Sequence, residues 1–316
     1  MLIPAPPPTL PQSQPSAFVT KATTPALTAE SRFSEDFRGW LNANGYGKHD
    51  FAKGALPGFG GRAQPGEKVA REPVIFIHGN ADSAVSWNNS VEYFRAKGYQ
   101  LSELYGMTWG TGTGDVEVAK KNTHSKKYVG EVRAFIEAVK AYTGATKVDV
   151  VTHSMGVTLT RKALQGGQGR DRNEGRYDVG APLTGSVDTF VGIAGANRGL
   201  TSAYLYPNVP TSNAVDGFYP GMLTPLGVVK RSAFLEDLNR MEHDEGQHVF
   251  SIWSKGDRLI NFGAPGGQGL VYGVPTAAIP GEDGSKVYDD KNHFEVQHDT
   301  AQVQYLMVVD HRTGSP

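Results

Sequence analysis

Four short apolar runs stand out from the chain: VIFI at 74–77, VDVVT at 148–152, VDTFVGIAG at 187–195 and HVFSIWS at 248–254. Their apolar character is nearly continuous rather than alternating, which predicts strands buried on both faces, as in a parallel sheet. LSELYGMTW at 101–109 predicts one more strand. Between these runs the period lengthens to that of a helix. Trp87, Val91, Phe94 and Ala96 recur at roughly helical spacing within 86–98, and Gly98 supplies a stop signal. Val132, Phe135, Ile136 and Val139 form one stripe over 128–142, closed by Gly144, while 155–164 and 300–311 read as two further helices. This βαβαβ alternation predicts an α/β protein with a mostly parallel central sheet flanked by helices.

Three stretches break the pattern. Residues 1–30 are rich in Pro, Ser, Thr and Ala, too poor in apolar surface to offset their chain entropy, and read as an extended arm. Residues 45–70 are Gly-rich and weakly periodic, predicting an ordered approach loop. Residues 198–231 mix Gly, Pro and Asn with many aromatics and read as a cap or loop insertion, so that 31–316 form a single domain carrying it.

Composition narrows the class. Lys plus Arg number 31 against 32 for Asp plus Glu, a net charge of -1 that gives no general attraction to nucleic acid or anionic membranes. No run approaches the roughly 20 apolar residues of a membrane-spanning helix. Glycine, 39 of 316 residues, is well above the usual ~7% and predicts many tight turns. Cysteine is absent, excluding disulfides, thiolate metal ligands and a thiol nucleophile. The opening residues show neither the charged nor the apolar region of a signal peptide.

The sharpest local feature is VDVVTHSMGVTLTRKAL at 148–164, an apolar strand running into Thr152-His153-Ser154-Met155-Gly156 and then a helix. A serine on such a turn is lifted out at the strand's end, close to the positive end of the following helix, with the Met155 N–H ready to meet a developing oxyanion. Small residues are required two places before and after it. Gly156 satisfies this, and Thr152 replaces the usual glycine. The plainer alternative is a serine that caps the helix in an ordinary βα turn. Upstream, PVIFI ends in His78-Gly79-Asn80, and the residue after such a pair can supply the second oxyanion amide, here Asn80, with His78 read as structural.

An acid and a base then follow in chain order. Asp257 stands just after HVFSIWS, whereas Asp216, Asp237 and Asp244 lack such a strand, and Asp289 and Asp290 fall on an expected surface turn. His293 and His298 both precede the last helix. Spacing favours His293, with His298 as the alternative. In the insertion, Leu200, Tyr204, Leu205, Tyr206, Phe218, Tyr219, Met222 and Leu223 suggest an apolar wall, with Tyr204, Tyr206, Phe218 and Tyr219 as substrate contacts; the plain alternative is a small satellite core. The acidic GEDG at 281–284 could attract calcium but reads as a surface turn, and no metal ligand or cofactor is assigned.

These segments resemble the class 2 lipases and the lipase-related extracellular poly(3-hydroxybutyrate) depolymerases of the α/β-hydrolase superfamily over roughly 70–310. PVIFIHGN (73–80), KAYTGATKVDVVTHSMGV (140–157) and His293-Phe294 followed by DTAQVQ carry the depolymerase side. GYQLSELYGMTWG (98–110), VDTFVGIAGANRGLTS (187–202) and GFYPG (217–221) carry the lipase side. The resemblance implies Ser154 as nucleophile, Asp257 as acid and His293 as base of a carboxylic-ester hydrolase. It implies a hydrophobic ester or polyester substrate, an extracellular location and a monomer. Many relatives have disulfides near 198–220 and the C-terminus, and this chain has none. The alternative from a different class is a hydrolase-like fold that only binds a hydrophobic ligand.

Overall fold

The computed structural model describes residues 32–53, 57–112, 114–261 and 270–314. The arm expected over 1–30 lies outside the described residues. Six strands form the central sheet: β1 (Val74–Ile77), β2 (Leu104–Met107), β3 (Val148–His153), β4 (Val187–Ile193), β5 (His248–Ser254) and β6 (Gly284–Tyr288). Their spatial order is β6-β5-β4-β3-β1-β2, and every neighbouring pair is parallel. All strands therefore end on the same edge, where the loops after β1, β3, β5 and β6 converge.

The predicted helices appear as α2 (Asn88–Ala96), α3 (Lys126–Thr143), α4 (Met155–Gln165) and α6 (Ala301–Asp310), with α1 (Glu35–Ala43) and α5 (Ala233–Leu238) in addition. Local chemistry sets the ends of α3: the Ser125 side chain accepts from Tyr128 N, and Gly144 closes the helix at φ 73°, a left-handed conformation suited to glycine. Strand alternation divides the core into two layers. Ile75 and Ile77 of β1 pack with Phe37, Phe135, Leu159 and Phe234 from α1, α3, α4 and α5. Val74 and Phe76 face the other way, onto Phe94, Met307 and Val308 of α2 and α6.

Three elements depart from the sequence reading. Residues 101–103 form a short 3₁₀ turn rather than the start of β2, because the buried Glu103 carboxylate collects amides from Gln100, Ala70 and Arg71. α1 was not expected; it buries Phe37 and Leu41, packs Trp40 partly against the core and is capped by Ser34. β6 was not expected either: as an edge strand, its residues alternate between half-buried and exposed. The opposite edge, β2, is covered by the approach loop, where Phe59 and Gly106 exchange two backbone hydrogen bonds of 3.0 Å. Residues 198–231 lie between β4 and α5 as irregular chain with two 3₁₀ turns, Thr201–Tyr204 and Pro210–Ser212, and a small hairpin pairing Met222–Thr224 with Gly227–Val229.

Candidate active site

Ser154 lies between β3 and α4 at φ 54° and ψ -126°. For a residue with a Cβ this backbone costs about 1–3 kcal/mol, so the surroundings must enforce it. They do so by close approach. A Cβ on Gly156 would sit 2.4 Å from the His78 carbonyl oxygen, and one on Gly79 would sit 2.8 Å from the Ser154 Cβ. Only glycine lets the β1 loop lie against the turn. The Ser154 N–H donates to Ile193 O at 2.8 Å, anchoring the turn to β4. Ser154 occupies the cap position of α4, yet its side chain makes no capping hydrogen bond, which removes the plain helix-cap alternative.

The hydroxyl is engaged elsewhere. Ser154 Oγ lies 2.9 Å from His293 Nε2, and His293 Nδ1 lies 2.7 Å from Asp257 Oδ2. A carboxylate only accepts, so Nδ1 carries the proton and the lone pair of Nε2 faces the serine. Asp257 is fully buried, and its other oxygen accepts from the amides of Leu259 and Ile260 at 2.9 and 3.2 Å, which holds the carboxylate's orientation. His293 is itself buried, while Ser154 remains partly open to solvent.

The structure thus brings Ser154, Asp257 and His293 together and leaves the other candidates apart. His298 ends a one-turn helix, Glu295–His298, and its Nε2 has no partner among the described residues. Asp216 is buried among Thr123, Arg172 and Asn213. Asp237 pairs with Lys162, and Asp289 with Lys255. In the GEDG segment, Glu282 accepts from Ile279 N and Asp283 from Val249 N, so both carboxylates serve the turn.

Met155 is the first residue of α4, where a helix leaves its leading amides without intrahelical acceptors. The Asn80 side chain is a brace: its Nδ2 donates to Ala119 O at 2.9 Å and its Oδ1 accepts from Asn122 Nδ2 at 2.7 Å. Thr211 of the insertion lies within hydrogen-bond reach of the Ala119 and Asn122 carbonyls, so the insertion is tied to the same segment after β2 that Asn80 grips. His78 is structural. Trp109 stacks on its ring and donates its backbone amide to Nε2, and burial lowers its pKa to about 4. The aromatics read from the sequence as substrate contacts divide. Tyr204 and Tyr206 are exposed and Tyr219 half-buried, but Phe218 is only 4% exposed and packs edge-on to His124, a core residue rather than a wall. Two exposed apolar residues were not singled out as surface by the sequence, Leu259 two places after Asp257 and Phe294, quoted only as part of the His293-Phe294 pair. Their only signal was adjacency to Asp257 and His293. His153 was likewise quoted only as part of the turn.

A six-stranded parallel sheet with helices on both faces and a serine on the turn after its third strand has the α/β-hydrolase architecture. The chain belongs to the class 2 lipase family, whose model matches residues 71–306. Among solved structures it is similar to the mature form of lipase BlEst2 from Bacillus licheniformis, with a TM-score of 0.51, 16% identity, and 79% of this chain and 96% of that one covered. At that identity the likeness is one of fold. Lipase B of Aspergillus fumigatus matches with a TM-score of 0.49 and 14% identity over 79% of this chain and 55% of that one. No helix among the described residues is long and apolar enough to cross a membrane.

Proposed function

We propose that the protein is a serine carboxylic-ester hydrolase acting on hydrophobic esters, as a lipase or as a depolymerase of aliphatic polyesters such as polyhydroxybutyrate. The observation that carries this reading is the hydrogen-bonded chain from Ser154 Oγ through His293 to the buried Asp257. In the reaction, Ser154 attacks the ester carbonyl while His293 Nε2 takes its proton, and Asp257 holds the imidazole in the required tautomer. The tetrahedral oxyanion is met by the amides of Asn80 and Met155, each such donor typically contributing ~10²–10³ in rate. His293 then protonates the departing alkoxide, and water repeats the sequence to release the acid.

The preference for hydrophobic substrates rests on the exposed apolar residues that accompany the site. Leu259 and Phe294 flank the acid and base, and Tyr204, Leu205, Tyr206, Met222 and Leu223 leave the insertion rich in exposed apolar surface. The insertion acts as the wall that receives the acyl chain or polymer segment, and the enzyme works as an extracellular monomer. Turnover of p-nitrophenyl esters that disappears in Ser154→Ala is the expected result. Retained turnover in that variant overturns the reading, while an absence of turnover in the unaltered protein favours a binding module. Clearing of polyhydroxybutyrate granules compared with triolein emulsion separates the two substrate classes.

A further inference from the structure

We infer that His153 is a positioning residue that ties the His293 loop to the strand bearing the nucleophile. This rests on the reading of Ser154, His293 and Asp257 as the catalytic set. His153 is the last residue of β3, and its side chain is buried. Its Nε2 lies 3.0 Å from the backbone oxygen of His293, and because a carbonyl only accepts, Nε2 is the protonated nitrogen. The two imidazoles pack against each other with centroids 4.6 Å apart.

The remaining nitrogen, Nδ1, is buried and has no hydrogen-bond partner among the described residues, and a Cβ placed on Gly79 would lie 3.0 Å from it. A phenylalanine or methionine would fill this space without the unpaired Nδ1, so packing alone gives no reason for an imidazole here. The donor at Nε2 does. Burial and the neighbouring His293 hold the ring's pKa well below the ordinary histidine value, so it stays neutral and Nε2–H remains a donor across the working pH range.

The consequence is geometric. Ser154 and His293 lie far apart in sequence, and the reach of Nε2 to Oγ would otherwise depend on how the loop after β6 settles. Residue 153 fixes the main chain of residue 293 against the same strand end that presents residue 154, so their separation becomes a local property of β3.

The test compares His153→Met, which keeps volume without a donor, with His153→Gln, whose terminal amide can still reach the carbonyl of residue 293. Expected for His153→Met is a kcat reduced roughly 10- to 100-fold, as for a misplaced catalytic group, with KM little changed. Expected too is a broadened downfield proton resonance from the His293–Asp257 hydrogen bond. His153→Gln should recover most of kcat and sharpen that resonance. Wild-type kcat in a folded His153→Met, or equal losses in both variants, overturns the inference. If His153→Met fails to fold, His153→Asn replaces it, since its shorter amide cannot reach, and Gln must then exceed Asn. Ser154→Ala runs in parallel: if it retains activity the catalytic reading itself fails, whereas a dead Ser154→Ala beside an unimpaired His153→Met removes only the role of His153.

Discussion

The strand-end site and the 198–231 insertion are built in opposite ways. At the site, Asp257 is fully buried, His293 and His153 nearly so, and strained backbone at Ser154 is held by glycine contacts closer than any Cβ allows. In the insertion, Leu205, Tyr206 and Leu223 are exposed and Leu226 is 96% exposed, on chain with little regular structure. One region spends stability on fixed polar geometry, and the other leaves apolar surface unpaired. On the proposed function, the difference separates the reaction from the choice of substrate: the sheet edge would set the chemistry, and the insertion would present the surface that meets the ester.

The largest effects should follow from breaking the first region. Asp257→Asn should leave folding intact and lower kcat by about 10⁴-fold, because an amide cannot enforce the tautomer that points the Nε2 lone pair at serine. Steady-state kinetics alongside a thermal melt checks this, and a loss of less than tenfold would count against the tautomer argument. Gly156→Ala comes next. Its Cβ would meet the His78 carbonyl at 2.4 Å, so the turn must shift, costing about 1–3 kcal/mol and misaligning Ser154. Urea unfolding with parallel activity assays measures both consequences.

Much of the first region was legible in the chain itself. VIFI, VDVVT and HVFSIWS lie buried on both faces of the sheet, so their apolar runs carried the information directly. Ser154 and Asp257 were readable because each follows such a run, whereas His293 was favoured over His298 only by its spacing before the last helix. β6 was not, since GSKVY pairs along one side only and shows mixed exposure. Nor was α1, whose burial depends on Phe135, Tyr105 and Tyr142 arriving from distant parts of the chain. The His153 contact depends on a loop 140 positions away. Phe218 misled for the same reason: among exposed tyrosines its burial against His124 has no local mark.

Acid should weaken both regions through buried histidines, His78 and His153 at the site and His124 beneath the insertion, each held below its ordinary pKa by burial. His78 at the site and His124 beneath Phe218 and Phe234 are both buried, and burial lowers each pKa to about 4. Unfolded, each ring titrates near 6.5, so below that pH the unfolded chain takes up protons that the native rings refuse. Stability from these groups is therefore intact above about pH 6.5 and is lost as pH falls toward 4, roughly 2 kcal/mol per ring by about pH 5. Urea midpoints at neutral and mildly acidic pH report the sum, and His124→Phe should remove its own share. A midpoint independent of pH over this range would contradict the assignment.

The smallest effect on folding, and the most selective on function, belongs to the insertion. Leu223→Ser and Tyr206→Ser should change stability by under about 0.5 kcal/mol, as exposed substitutions do. They should leave turnover of dissolved short-chain esters unchanged while reducing it on emulsified triolein or polyester granules. Equal losses on dissolved and particulate substrates would join the two regions that the comparison separates.

The central claim is that the Ser154 hydroxyl is the group that becomes acylated. The most direct measurement is labelling with a p-nitrophenyl alkylphosphonate, followed by intact-mass and peptide mass spectrometry. The account predicts one alkylphosphonyl group per chain, located on Ser154 and absent from Ser154→Ala. A label on another residue, or a chain that hydrolyses esters yet remains unlabelled, would contradict it.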